Sequence, residues 1–408
     1  MAKTKKARLK SVATPIAMGL VILVAIMAAQ VLFKQLGNGS HNANAGQPQA
    51  QPDQLVQKYL QACTDVACLK GGLEKITSQN GPELALSSLQ LYKQKYPNRP
   101  IGDSHQRAHE IGRQTAASFG INGQAFLRCT TSFNYGCQHG FFEKALGKTG
   151  SSKDAIEQIC GPFEGNPQYS SKFQFYCYHG VGHGVMMSQA YDLKGALDVC
   201  DSLKSHLAQD GCWQGVFMEN VNASLEGEAR KGVFSAEDPL APCDVVDPKY
   251  QHECYINQAG HLMAAFANQI NPAATACLQA AAEQIEACVE SVGLLVSNEV
   301  WQKSLLKTRP ASLVAGAWQL CQEFPAGYVS SCVGAAVDQI QNLDGISIDT
   351  SLKFCGLVDS QYKLACHGRI GQSIRPQATD TAAINRECAK IITPAEQAAC
   401  KTAGGLPA

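Results

Sequence analysis

The sequence predicts an all-α protein, a solenoid of disulfide-stapled αα-hairpin repeats preceded by an N-terminal transmembrane helix. Three observations carry this expectation. Apolar residues recur at spacings of three and four along the chain, while alternating, strand-like runs are nearly absent. The 18 cysteines fall into nine successive local pairs: 63/68, 129/137, 160/177, 200/212, 243/254, 277/288, 321/332, 355/366 and 388/400. Finally, 23 uncharged residues lie between Lys10 and Lys34.

Taken in chain order, residues 1–10 form a basic segment and residues 11–33, SVATPIAMGLVILVAIMAAQVLF, a signal anchor. At about 1.5 Å per helical residue this run crosses a hydrocarbon core of roughly 30 Å. Positive charge before it stays cytoplasmic, which places the rest of the chain outside the cytoplasm, periplasmic or extracellular. The alternative is a cleaved signal peptide, for which AIMAAQ supplies small residues. The apolar run is longer than the usual range of about 7–15 residues, which favours the anchor. Residues 34–53 are rich in Gly, Asn, Gln and Pro and read as a flexible linker. Residues 54–408 hold the repeats, with a histidine-rich N-terminal half over 103–268.

The formal net charge of zero hides an asymmetry. Six of the 34 basic residues lie within the first 37 positions, which hold no acidic residue. The remainder is mildly acidic and has no basic patch, which excludes nucleic acid as the expected partner. So many cysteines point to an oxidising compartment, where thiols persist as disulfides.

From the third pair onward the second cysteines recur every 34 to 44 residues in similar settings: FYCYHGVG, DGCWQGVF, HECYINQAG, EACVESVG, SSCVGAAV and LACHGRIG. Each first cysteine ends a short helical pattern, as in GALDVCDSL and AINRECAKII. The inferred unit is an outer helix, a turn and an inner helix, with one disulfide closing each hairpin and stabilising it by about 2–4 kcal/mol. Such a unit cannot bury its apolar face alone, so neighbours stack.

The GCxxG start of the inner helix and the cysteine at the end of the outer one, best seen in CTTSFNYGCQHGFFEKAL, resemble the cysteine-rich Sel1-type relatives of tetratricopeptide repeats. The resemblance covers about residues 55–408. It implies an αα-hairpin superhelix with an extracytoplasmic interaction role, and it carries over no catalytic residue. Most units here have ten or eleven residues between cysteines, and the regular alanine and tyrosine pattern of that group is missing.

Histidine is where the repeats differ. Two and six residues after Cys137 stand His139 and Glu143, and after Cys177 His179 and His183. After Cys212 these positions hold Gln214 and Met218, with Glu219 one step on. The helix expected over Asp103 to Phe119 lacks the cysteine but repeats the spacing with His105 and His109. Residues four apart share one helix face, and stacked repeats place equivalent positions side by side. His105, His109, His139, Glu143, His179 and His183 are therefore the expected metal ligands along one stripe. Glycines Gly140, Gly180 and Gly215 give the inner helices room to approach. Beyond them the stripe fades to Ile256 and Gly260, with His261 off register.

Nitrogen-rich ligation favours zinc, copper or iron over calcium or magnesium. The leading expectation is a membrane-anchored scaffold that binds a transition metal. One alternative is a metal-free repeat that binds an envelope protein or peptide. Another is a metal-dependent hydrolase or oxidoreductase, with Glu143, Glu110 or Glu219 as general base. No GxSxG elbow, P-loop, dinucleotide fingerprint or CxxCH motif occurs, so the sequence assigns no catalytic residue and leans away from an enzyme. His367, isolated in LACHGRIG, reads as scaffold, and Asp247 and Glu253 as solvated faces.

Overall fold

In this computed structural model, residues 51–407 are described apart from 97–98, 100–103, 131, 134, 150–152, 226–237, 308–309, 345–346 and 379. Among them every regular element is helical, as the apolar periodicity predicts. No helix among the described residues is long and apolar enough to cross a membrane. The predicted basic segment 1–10 and anchor 11–33 lie outside the described residues, as does the linker up to Ala50. A helix at Pro52–Leu55 lies just ahead of the expected start of the repeats at residue 54.

All nine cysteine pairs are joined as the local spacing predicts, and no cysteine is free. Every cysteine except Cys68 is buried, so the cross-links are part of the core as well as turn closures. The inner helices are α1 (Val66–Asn80), α2 (Ser104–Phe119), α3 (Gly136–Thr149), α4 (Ser171–Ser188), α5 (His206–Leu225), α6 (Pro248–Tyr255), α7 (Ala259–Ala265), α8 (Ile285–Lys307), α9 (Val329–Asp344), α10 (Ser360–Ile374) and α11 (Pro394–Ala403). Each packs on the next along a single row, with α6 and α7 together filling one place. Short outer helices such as Lys153–Cys160, Leu193–Asp201 and Thr381–Cys388 each end at or beside the cysteine that bonds to the following inner helix.

Local chemistry sets these boundaries. The Asp65 carboxylate accepts from the Cys68 amide at 2.8 Å, so the N-cap of α1 sits inside its disulfide loop. The Ser170 hydroxyl caps α4 by accepting from Phe173 N. Ala190 and Tyr191, both with positive φ, then turn the chain away after α4. One place departs from the pattern. The described residues just before Cys243, 238–242, form turns, and the buried Gln258 amide braces them by donating to the carbonyls of Pro239 (3.2 Å) and Ala241 (2.7 Å). That bracing falls at the break between α6 and α7.

Close approach between α2, α3, α4 and α5 depends on glycine. A Cβ on Gly140 would lie 1.9 Å from the His109 carbonyl oxygen, and one on Gly215 equally close to that of His179. These contacts draw the histidine-bearing helices together backbone to backbone. The row also bends back on itself. Lys172 at the start of α4 donates to Asn342 of α9 at 2.9 Å, and Ser171 donates to the Pro376 carbonyl at 3.1 Å. The inner helices therefore face one another across a cavity open to one side.

Candidate metal centre

The close packing of α2, α3 and α4 brings five imidazoles together. His109, His139, His179 and His183 are each 2 % exposed or less, and His105 sits at the mouth, half-buried. Donor atoms of His105, His109 and His139 lie within 4.8 Å of one another, and so do those of His139, His179 and His183. The predicted register thus does converge. His139 on the middle helix belongs to both groups.

The outer ring nitrogens of four of these residues are held. His105 Nδ1 donates to the Phe133 carbonyl at 2.7 Å. That carbonyl is aimed by a loop in which Phe133 and Tyr135 have φ of 56° and 61°. His109 Nδ1 bonds to the Glu143 carboxylate, whose second oxygen takes Arg113. His179 Nδ1 lies 3.0 Å from Gln214 Oε1, and the same amide donates through Nε2 to Glu253 at 3.3 Å, which fixes which end faces the ring. His183 Nδ1 lies 2.9 Å from Glu219 Oε2, and Tyr191 donates its hydroxyl to the other Glu219 oxygen at 3.2 Å.

These partners are acceptors, so each Nδ1 must carry the proton, and in the neutral ring Nε2 is then a bare lone pair. His109 Nε2 faces His105 Nε2 at 2.9 Å, and His183 Nε2 faces His179 Nε2 at 3.2 Å. Two lone pairs at hydrogen-bond distance repel unless a cation lies near them. Burial, and then the neighbouring His109, push His105 down to about 3. Burial and then His183 hold both His139 and His179 well below the ordinary imidazole range. A further proton on His105, His139 or His179 is therefore disfavoured. Two nitrogens on one metal ion, at about 2.0–2.1 Å and an angle of about 90–110°, are roughly 2.9–3.4 Å apart, which both pairs match.

His139 is different. Both of its ring nitrogens are buried and, among the described residues, neither has a hydrogen-bond partner, a condition that costs about 1–3 kcal/mol for each polar atom left so. Its ring stacks on His183, with centroids 4.5 Å apart, and meets His105 and His109 edge to face.

Glu143, expected on the stripe with the histidines, stands behind His109 and is engaged by that ring and by Arg113. Burial raises its pKa, but the charge and hydrogen bond of His109, followed by Arg113, outweigh this and the net shift is downward. Glu219, one step off register, is its counterpart behind His183. Glu110 is held by Arg107 at 3.0 Å instead of facing a ring. The sequence predicts Glu253 on a solvated helix face. It is largely buried, and burial, reinforced by Asp210 and opposed by the Gln214 hydrogen bond, raises its pKa to about 7. Phe133, Arg113 and Tyr191 carried no readable signal. His367 serves the scaffold, with Nδ1 2.8 Å from the Lys363 carbonyl.

In front of the rings lies a cavity of about 450 Å³, reached by His105, His139 and His179 and walled by Tyr135, Tyr176 and Gln339 among others. No lysine, arginine, aspartate or glutamate among the described residues lines it.

No family model matches this chain, and no characterised protein or solved structure matches it either. The site and its disulfide-rich helical frame therefore stand on their own chemistry. The nine disulfides fit an oxidising, extracytoplasmic setting.

Proposed function

We propose that this protein is an extracytoplasmic helical-repeat scaffold, anchored by residues 11–33, that binds a transition metal through His105, His109, His139, His179 and His183. One observation carries the reading: two histidine pairs have spent their Nδ1 protons on acceptors and present Nε2 lone pairs to each other at 2.9 and 3.2 Å. Metal-ligating histidines are oriented in this way, with the far nitrogen donating to a carboxylate or carbonyl. Glu143 and Glu219 orient the rings, and Phe133 and Gln214 complete the set. All-imidazole ligation fits zinc, copper or iron. The adjoining uncharged cavity gives a small molecule access to the ring face, which leaves room for chemistry at a bound ion. The likeness to Sel1-type repeats is one of architecture, and here it supplies the frame alone.

The full-length oxidised chain, purified untagged in detergent and loaded with zinc or copper, should retain at least one equivalent after desalting. The double variant His179→Ala/His183→Ala should lose metal while keeping its helix content. Only trace metal in the loaded wild-type chain would overturn the reading and leave a metal-free role in binding an envelope peptide.

A further inference from the structure

We infer that the cluster holds two divalent transition-metal ions joined by His139, whose ring bridges them as an imidazolate. The inference rests on the metal-binding reading above and specifies the form of that site.

The cluster consists of two half-sites built alike. In each, one helix supplies a histidine pair four residues apart: His105 and His109 on α2, His179 and His183 on α4. In each, the next helix supplies a carboxylate to Nδ1 of the second histidine: Glu143 from α3 to His109, Glu219 from α5 to His183. In each, a further donor holds that carboxylate's other oxygen: Arg113 in the first, Tyr191 in the second. A single ion requires one such carboxylate-backed pair, and the fold provides two. Five imidazoles also exceed what one four-coordinate ion accepts. The two groups of converging donors share one member, His139.

The wiring of His139 decides its role. Every other ring in the cluster has an acceptor on the nitrogen that faces away from its histidine partner. His139 has none on either nitrogen, and both are buried. As a terminal ligand it would use one nitrogen and leave the other N–H buried without a partner. As a bridge it uses both, which satisfies the ring completely. The first ion takes the lone pair of one nitrogen of neutral His139. The second bonds to the other nitrogen as its N–H bond breaks and the proton leaves to solvent. The ring then carries one negative charge between two dications, and no electron is transferred. Each ion receives three protein nitrogens, which leaves a position for a small ligand.

Copper tests this directly, because an imidazolate bridge couples two Cu(II) spins antiferromagnetically. The full-length oxidised chain loaded with Cu(II) alone should hold two copper ions. Its low-temperature paramagnetic resonance intensity should fall well below that of its copper content. Replacing one copper with Zn(II) should restore the full signal of the copper that remains, and His139→Ala should abolish the coupling. No retained copper would overturn the metal reading itself. One ion per chain would overturn the paired centre while leaving that reading intact. Two ions with full signal intensity in the wild-type chain would overturn the bridge, whether or not the His139→Ala variant folds.

Discussion

The two halves of the inner row use one frame for opposite electrostatic ends. In the C-terminal half Glu290 and Asp338 stand two and six residues after Cys288 and Cys332, and Arg369 three after Cys366. The Arg369 guanidinium donates to Asp338 at 2.9 Å through Nε and lies 3.1 Å from Glu290. Opposite charges meet there, and the stripe closes on itself. In the N-terminal half the stripe holds five imidazoles, and four of their Nε2 atoms meet in two pairs at 2.9 and 3.2 Å. Shared ancestry or a structural hydrogen-bond ladder accounts for a polar stripe of the first kind. In the second kind, the paired Nε2 atoms of His105 and His109, and of His179 and His183, meet where the helices pack backbone to backbone. The comparison separates a stripe whose charges pair with one another from one whose imidazoles converge as the donor set proposed for a metal.

Breaking the closed stripe is the larger perturbation to folding. Arg369→Met leaves Glu290 and Asp338 facing each other without their cation. Breaking a fully buried pair costs about 3–5 kcal/mol. These side chains keep 14 to 25 % of their exposure, so a loss of roughly 2–3 kcal/mol is expected once solvent screening is counted. Denaturant midpoints at constant slope measure it. Metal uptake should not change. If Arg369→Met lost metal as well, the two halves would be one coupled unit and the contrast between them would fail.

The outer carboxylates probe the open stripe more gently. Glu219→Gln keeps an acceptor near His183 but removes its charge. Metal affinity should fall about 10–100-fold, the usual effect of a lost orienting partner, with helix content unchanged. Glu143→Gln should do the same. Competition titration against a chelator measures both. Complete loss of one ion in Glu143→Gln, with only a modest loss in Glu219→Gln, would make Glu143 a ligand in its own right.

Much of this was legible because a repeat has fixed register. Nine cysteine pairs at short spacing had one economical pairing, and residues two and six positions after Cys137 and Cys177 had to share a face. The same rule misplaced Glu143. Register gives the face of a helix but not its rotation against a neighbour, and the close contact at Gly140 turns Glu143 behind His109. Glu219 looked one step out for the same reason, although it is the matching group. The Phe133 carbonyl is a backbone atom aimed by left-handed loop residues, and no side-chain pattern announces it. The contact between Lys172 and Asn342 joins residues 170 positions apart, beyond any local periodicity. The predicted anchor cannot be compared in this way, since it lies outside the described residues.

Glu253 stands where the two halves meet, on α6, and gives the finest test of the boundary. It accepts from Gln214, which in turn faces His179, so its charge state is one residue removed from the open stripe. Burial raises its pKa from 4.5 to about 7 in the folded protein. A carboxyl raised on folding binds its proton more tightly in the native state. Its ionisation therefore costs stability, progressively as pH rises from about 4.5 to about 7, and the cost is constant above that. Glu253→Gln removes the titration and keeps an acceptor for Gln214. The variant should match the wild type near pH 4.5 and exceed its stability at pH 8 by on the order of 2 kcal/mol. Metal affinity should change by less than in Glu219→Gln, because the Gln214 oxygen still meets His179. Equal stability of variant and wild type at both pH values would mean that Glu253 is solvated after all, and that the boundary between the halves is open to water.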